Sequence, residues 1–447
     1  MELLVIIIVL FVAAGLSLLP LPGQSALKCW VLAMFPFGVF IYLLFLTPAI
    51  ADGKTLEFFH PWMPDIGLNL NLSLDGLSLM FALLITGIGT FILIYAQAYM
   101  KSYAHTRRFS FYLLLFMASM VGLVLSGNLI LLFIFWELTG ITSFLLIGFN
   151  HHEENIRKAA LQALLVTGFG GLMMLSGFVL LGQVSGTYSI QEMFGQSGII
   201  TQHHLYLPIL ILILGGAFSK SAQFPFHFWL PGAMQAPTPV SAFLHSATMV
   251  KVGIYLLARL NPVLGNTMEW QTIIPLVGGV TMFLGAYMAL TQRDLKAILA
   301  YTTISALGTL VLLIGIDTKY SMEAAMIFLL VHAFYKGTLF MVAGSIDKPT
   351  GTRDIDRLGN LYKKMPVTTV VAVLALLSMA GLPPMLGFVS KEIIYEAKIQ
   401  APHIAGFILF FGVLSNIFMV WVSLFFAYRV FFRRTYNAPK IPKKGSI

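Results

Sequence analysis

About thirteen times along this chain, a run of roughly twenty apolar residues is closed off by a short polar connection. A helix rises about 1.5 Å per residue, so each run is long enough to cross a hydrocarbon layer about 30 Å thick. The runs fall near 2-19, 27-49, 74-98, 109-127, 128-149, 158-183, 206-229, 238-260, 272-290, 296-316, 323-346, 367-395 and 405-432. Composition agrees: of 447 residues, 58% are hydrophobic and 10% charged, too little polar surface to coat a water-soluble globule of that size. The expected fold class is an all-α membrane protein of about 13-14 transmembrane helices. The first run has no basic leader and others follow it closely, so it reads as a retained helix rather than a signal peptide.

The net charge of +9 invites a nucleic-acid reading, but the basic residues sit in short connections, not on an aromatic-interleaved face. Topology explains them better. Alternating sides from a cytoplasmic first loop puts 19 of the 27 Lys and Arg residues on the cytoplasmic side, from Lys28 through Arg107, Arg108, Arg353 and the tail. Only Lys54, Arg259, Lys319 and Lys398 fall on the other side. That bias predicts an outside N-terminus and a cytoplasmic C-terminus. The single cysteine, Cys29, excludes an internal disulfide framework and a cysteine-ligated metal centre, and nothing points to haem, iron–sulfur or any other cofactor. The alternation Leu68-Asn69-Leu70-Asn71-Leu72-Ser73-Leu74 predicts a short external strand leading into the third helix.

Four lysines remain, and all lie inside apolar runs: Lys220, Lys251, Lys336 and Lys391. A charge at mid-bilayer costs at least about 2.5 kcal/mol, so such residues face protein or water and serve a purpose. Lys220 precedes Phe224-Pro225-Phe226-His227 and Pro231, where proline should break the helix. Broken helices at membrane depth survive only against protein or a water-filled cavity, and a lysine there can exchange protons with water. Glu137 is the one acidic residue in the clearly buried body of a run, so with a lysine on an adjacent helix it could form a protonation switch. His245 and Lys251 share the run 238-260 with Thr248, and His332 and Lys336, four apart, share one helical face. Lys296 opens the run 296-316 and reads as a peripheral candidate that can snorkel to the interface.

Lys391 follows a second Gly/Pro-rich interruption, Gly381-Leu382-Pro383-Pro384-Met385-Leu386-Gly387. Two interrupted runs five helices apart fit two five-helix repeats, and the odd spacing inverts one relative to the other. On this reading the chain divides into N-terminal helices with an external loop (1-105), a first repeat (106-260), a second, inverted repeat (270-432) and a basic cytoplasmic tail (433-447). The discontinuous helices lie near 215-231 and 380-392. Ionisable groups strung through apolar runs are the wiring of a proton or ion path rather than of a substrate pocket.

Specific motifs carry a family resemblance. Phe135-Trp136-Glu137-Leu138-Thr139-Gly140, Lys220-Ser221-Ala222-Gln223-Phe224-Pro225, Ala236-Pro237-Thr238-Pro239 with His245-Ser246-Ala247-Thr248-Met249-Val250-Lys251, and Ala300-Tyr301-Thr302-Thr303-Ile304-Ser305 resemble the antiporter-like membrane subunits of respiratory complex I. With His227 and Gly387-Phe388-Val389-Ser390-Lys391-Glu392, the sequence is closer to the A subunit of Mrp-type sodium/proton antiporters. The resemblance implies two inverted five-helix bundles and a proton relay of Glu137 and Lys220, then His245, Lys251, His332 and Lys336, ending at Lys391. His227, Lys296 and Thr248 are secondary candidates. It also implies a transporter subunit rather than an enzyme, in a bacterial cell membrane, working with other membrane subunits, the lipid bilayer, protons and sodium, and with no nucleic acid. The A subunit usually continues for many more helices, so the remainder is expected either on a longer chain or on a separate polypeptide. The rival reading is a proton-pumping subunit of a redox complex, complex I or a membrane-bound hydrogenase.

Overall fold

The computed structural model describes residues 1–19, 25–103 and 105–434. The basic tail expected over 433-447 lies, from residue 435 onward, outside the described residues. The described chain is an all-α, multi-pass membrane protein. Ten of its helical segments, one of them interrupted, are long and apolar enough to cross a bilayer, and three shorter apolar helices, Glu2–Ser17, Tyr206–Lys220 and Pro366–Ala380, occupy other apolar runs. Two compact units emerge: Met1–Ser221 with Gln235–Trp270, and Ala222–Met234 with the chain from Gln271 onward.

In the first unit the alternating segment is a strand, Leu68–Leu74, paired antiparallel with Leu56–Met63. The chain then turns into helix Gly76–Tyr99 through a capping box. The Asp75 carboxylate accepts from the Ser78 N–H at 3.0 Å, and the Asp75 N–H donates to the Ser78 hydroxyl at 2.8 Å. Asn128 starts helix Leu129–Ile147 similarly, accepting from the N–H groups of Ile130 and Leu131 at 2.9 and 3.1 Å. Helices Glu154–Ser185 and Tyr206–Lys220 approach through glycines. A Cβ on Gly216 would stand 3.0 Å from the Gly170 carbonyl, and one on Gly177 would stand 2.8 Å from Ile213.

The core of this unit is the segment Thr238–Leu264, whose most apolar window is 100% buried. The sequence predicts one helix here, but the structure divides it into Thr238–Ser246, a 3-10 turn Met249–Lys251 and Val252–Leu264. The Thr248 hydroxyl donates to the Phe243 carbonyl at 2.7 Å, a local bond of the kind that competes with the helical ladder. His245 and Lys251 therefore stand on opposite sides of an interruption.

In the second unit, helix Leu295–Ile316 is the core element, 89% buried in its most apolar window. Asp294 caps it, accepting from Lys296 N–H at 2.9 Å. Helix Lys319–Thr350 opens with a Thr318/Ser321 capping box. Helix Pro366–Ala380 ends at Gly381, whose φ of 73° favours glycine, and Leu386–Ile399 resumes after Pro383 and Pro384. This is the break expected near 380-392. The one near 215-231 is also present: Tyr206–Lys220 stops at the lysine, and the chain continues as the 3-10 turn Phe226–Phe228. Helix Ala405–Ala427 ends in a π-turn, Tyr428–Phe432.

Candidate functional site

Lys220 is the last residue of its helix and only 1% exposed. Its Nζ donates to the Trp136 carbonyl at 2.7 Å and to the Thr139 hydroxyl at 2.8 Å, and lies 4.8 Å from the centre of the Trp136 ring. The Thr139 hydroxyl spends its own proton on the Trp136 carbonyl, also at 2.7 Å, which leaves its lone pairs for the lysine. Glu137 lies between these two acceptors in the sequence, yet no ion pair joins it to Lys220. The two groups therefore stand apart rather than in a closed ion pair, the arrangement of two neighbouring groups rather than of a structural salt bridge. The carboxylate is half-buried and rests over Gly171, where a side chain would collide with it.

Lys336 in the second unit has the same kind of seat. It is fully buried, and its Nζ donates to the Thr302 hydroxyl at 2.7 Å and the Leu299 carbonyl at 3.4 Å. The Thr302 hydroxyl bonds back to the Ile298 and Leu299 carbonyls. In both units a lysine meets a carbonyl and a threonine three residues further along one helix. His332 shares the buried face of Lys336, its ring packed edge-on against Tyr335 at 5.3 Å.

Lys296 departs from its expected peripheral role. It is 1% exposed and its Nζ donates inward to the Met234 carbonyl at 3.2 Å. A residue at the first turn of a helix can reach the interface, but here the side chain turns into the unit. His245, Thr248 and Lys251 are all fully buried in the first unit, as expected of interior groups. His227 is half-buried on the 3-10 turn and stacks on Phe224 at 6.0 Å.

Lys391 follows the second break, and its Nζ donates to the Ala380 carbonyl at 2.7 Å and to the Asn416 side-chain oxygen. It lines a cavity of about 60 Å³ together with Ser305, Thr309, Ser415, Asn416 and Lys398. Lys398 is a correction: topology assigns it to an outer connection, whereas it is 3% exposed and directed inward, with Nζ 3.7 Å from the Met282 sulfur.

Arg259 is buried as well, and its partner Asp75 directly follows the strand Leu68–Leu74. Its guanidinium is 7% exposed and grips the Asp75 carboxylate with bonds of 2.5 and 2.9 Å, and its Nε donates to the Tyr255 hydroxyl at 3.2 Å. Burial alone would raise the Asp75 pKa, but the Arg259 bonds and charge, with the Ser78 bonds, outweigh it and lower it to about 2.

A family model described as "NADH:quinone oxidoreductase/Mrp antiporter, TM" matches residues 126–418, and one described as "NADH-Ubiquinone oxidoreductase (complex I), chain 5 N-terminus" matches residues 62–110. The chain is 44% identical over 437 residues to the A subunit of the Na(+)/H(+) antiporter of Alkalihalophilus pseudofirmus, covering 94% of this chain and 54% of that protein. It is 44% identical over 434 residues to the A/B subunit of the probable K(+)/H(+) antiporter of Rhizobium meliloti, covering 96% of this chain and 43% of that one. Among solved structures, a chain of the Mrp complex from Dietzia sp. DQ12-45-1b superposes with a TM-score of 0.90 at 38% identity, covering 98% of this chain and 48% of that one. The chain therefore spans about half the length of these relatives.

Proposed function

From the premise that the chain belongs to the NADH:quinone oxidoreductase/Mrp antiporter family of membrane proteins, we propose that it is the proton-carrying part of a multi-subunit sodium/proton antiporter. The observation that carries this reading is the pair of lysine seats. Lys220 and Lys336 are held by a carbonyl and a threonine hydroxyl, acceptors that serve an amine as well as an ammonium. Within the first unit the proton-bearing groups are Glu137, Lys220, His245 and Lys251. Within the second they are His332, Lys336 and Lys391, with Lys296 joining them because its side chain turns inward. Histidine titrates near neutrality and suits transfer between lysines through water. Protonation of Glu137 changes the field at Lys220 without breaking an ion pair, so the switch works through space. No chemistry is performed on a substrate; the ion gradient supplies the energy. The working assembly includes other membrane subunits in a bacterial cell membrane, with the N-terminus outside and the C-terminus in the cytoplasm.

The test is proton movement in inverted vesicles that express the whole gene cluster, started with a sodium pulse and, separately, a potassium pulse. Lys220→Ala should abolish the response while the complex still assembles. Normal exchange by a well-assembled Lys220→Ala complex would overturn the assignment. A second reading, a proton-pumping subunit of a redox complex, draws on the family descriptions that name quinone oxidoreductases. It requires proton movement to follow NADH or quinone supply rather than the cation pulse.

A further inference from the structure

Lys391 and Lys398 occupy one helix, Leu386–Ile399, seven residues apart. Seven residues are two turns, so both side chains leave the same face about 10 Å apart along the axis. That face borders the cavity that both lysines line, with Ile394 and Tyr395 between them. Room for each head group is provided in the same way. A Cβ on Gly381 would come 3.1 Å from the Lys391 nitrogen, and one on Gly412 would come 2.9 Å from the Lys398 nitrogen. The cavity measures about 60 Å³, where a single water needs roughly 10–15 Å³, so it has room for a few waters. Its other polar lining is Ser305, Thr309, Ser415, Asn416 and the tyrosines Tyr335 and Tyr395. The Ser415 hydroxyl is buried and has no protein partner among the described residues, as expected of a group that bonds to water.

We propose that Lys398 is a further proton-binding site, exchanging protons with Lys391 through water in this cavity. The proposal rests on the proton-carrying reading above and extends it by two helical turns. Among the described residues no carboxylate lines the cavity; Glu396, on the same helix, is turned to an exposed bond with the Tyr320 hydroxyl. Two amines in one low-dielectric space are coupled, so a proton accepted by one promotes release from the other. The exchange is balanced: one ammonium gives a proton to water, water gives one to the other amine, and the cavity's net charge is unchanged.

The experiment uses the assembled complex in inverted vesicles and reads proton movement in Lys398→Met, Lys398→Arg and Lys398→His beside wild type and Lys220→Ala. Methionine keeps the volume without a proton, and arginine keeps a charge it does not release. Both are expected to slow transport at least tenfold with assembly retained. Histidine, which titrates near neutrality, should restore part of the rate with the pH optimum moved to lower pH. Lys398→Met transporting like wild type would overturn the proposal, as would arginine restoring the rate while histidine does not, the signature of a structural charge. If Lys220→Ala is inert and Lys398→Met is normal, this inference falls and the proton-carrying reading stands. If Lys220→Ala transports normally, the reading itself falls. Proton movement is the readout whichever cation drives it.

Discussion

At Asp75 the buried guanidinium of Arg259 meets a carboxylate through bonds of 2.5 and 2.9 Å, whereas Lys220 and Lys336 are buried against a carbonyl and a threonine hydroxyl each. Both arrangements satisfy a positive group away from water, but they do different things to its proton. An arginine stays charged, and its carboxylate matches that charge permanently. Neutral oxygens impose no such match: they bond the lysine in either protonation state. The first arrangement builds the fold, tying the entrance of helix Gly76–Tyr99 to helix Val252–Leu264. The second leaves the lysine without a carboxylate in contact, which is what the proposed proton-carrying role needs.

The comparison breaks most visibly if the arginine is removed alone. Arg259→Met should destabilise the protein by about 3 kcal/mol, because the half-buried Asp75 is left without its counter-charge. Lys220→Met should cost clearly less, since only neutral oxygens lose a partner. Thermal melting of the purified complex checks both, and equal losses would erase the distinction. Gly170→Ala comes next. The added methyl collides with the Ser219 hydroxyl and stands 2.9 Å from the Gly215 carbonyl, so it should cost about 1–3 kcal/mol and displace the helix that carries Lys220. A melt and a transport assay on the same preparation would show both effects. Thr139→Val and Thr302→Val each remove one acceptor, worth about 1 kcal/mol, and should slow transport roughly fivefold with little change in assembly. An unchanged rate in both would mean that the threonines are packing only.

The smallest expected effect is none at all. Asp75 has its pKa depressed from 3.8 to about 2 in the folded chain, so the pair's stabilisation is complete above about pH 4 and is lost as pH falls toward 2. The stability difference between wild type and Asp75→Asn should therefore be flat from about pH 5 to 8. Melting across that range would show it, and a slope would mean that another group titrates with the pair.

Much of the fold was legible because hydrophobic length and proline are local signals. The apolar runs became the ten long helices and three shorter ones, the Leu68–Leu74 alternation became a strand, and the Gly/Pro interruptions became breaks after Lys220 and Ala380. Lys220, Lys251 and Lys336 were visible because each stands well inside an apolar run, where burial follows from position. Lys296 and Lys398 were misplaced for the converse reason. Near the end of a run a long basic side chain can reach water, and only the packing around it decides whether it turns inward. The seven-residue spacing of Lys391 and Lys398 was nonetheless a signal in the sequence, obscured when the second lysine was assigned to a connection. The interruption between His245 and Lys251 is accompanied by a threonine hydroxyl bonded to a backbone carbonyl, a choice that sequence does not reveal. The open Glu137–Lys220 pair depends on where two flexible side chains come to rest. Residue type alone sets neither.

On the proposed role of Lys220, its seat also has a meaning for the rate at which a proton can come and go. A reaction that moves charge is slowed by whatever must rearrange around it, and here the Trp136 carbonyl and Thr139 hydroxyl already point at the nitrogen. The Thr139 proton is already committed to the Trp136 carbonyl, so the hydroxyl has no reason to rotate. A proton carried by Lys220 would therefore ask little reorganisation of the protein, and the mobile part of each transfer would fall to water.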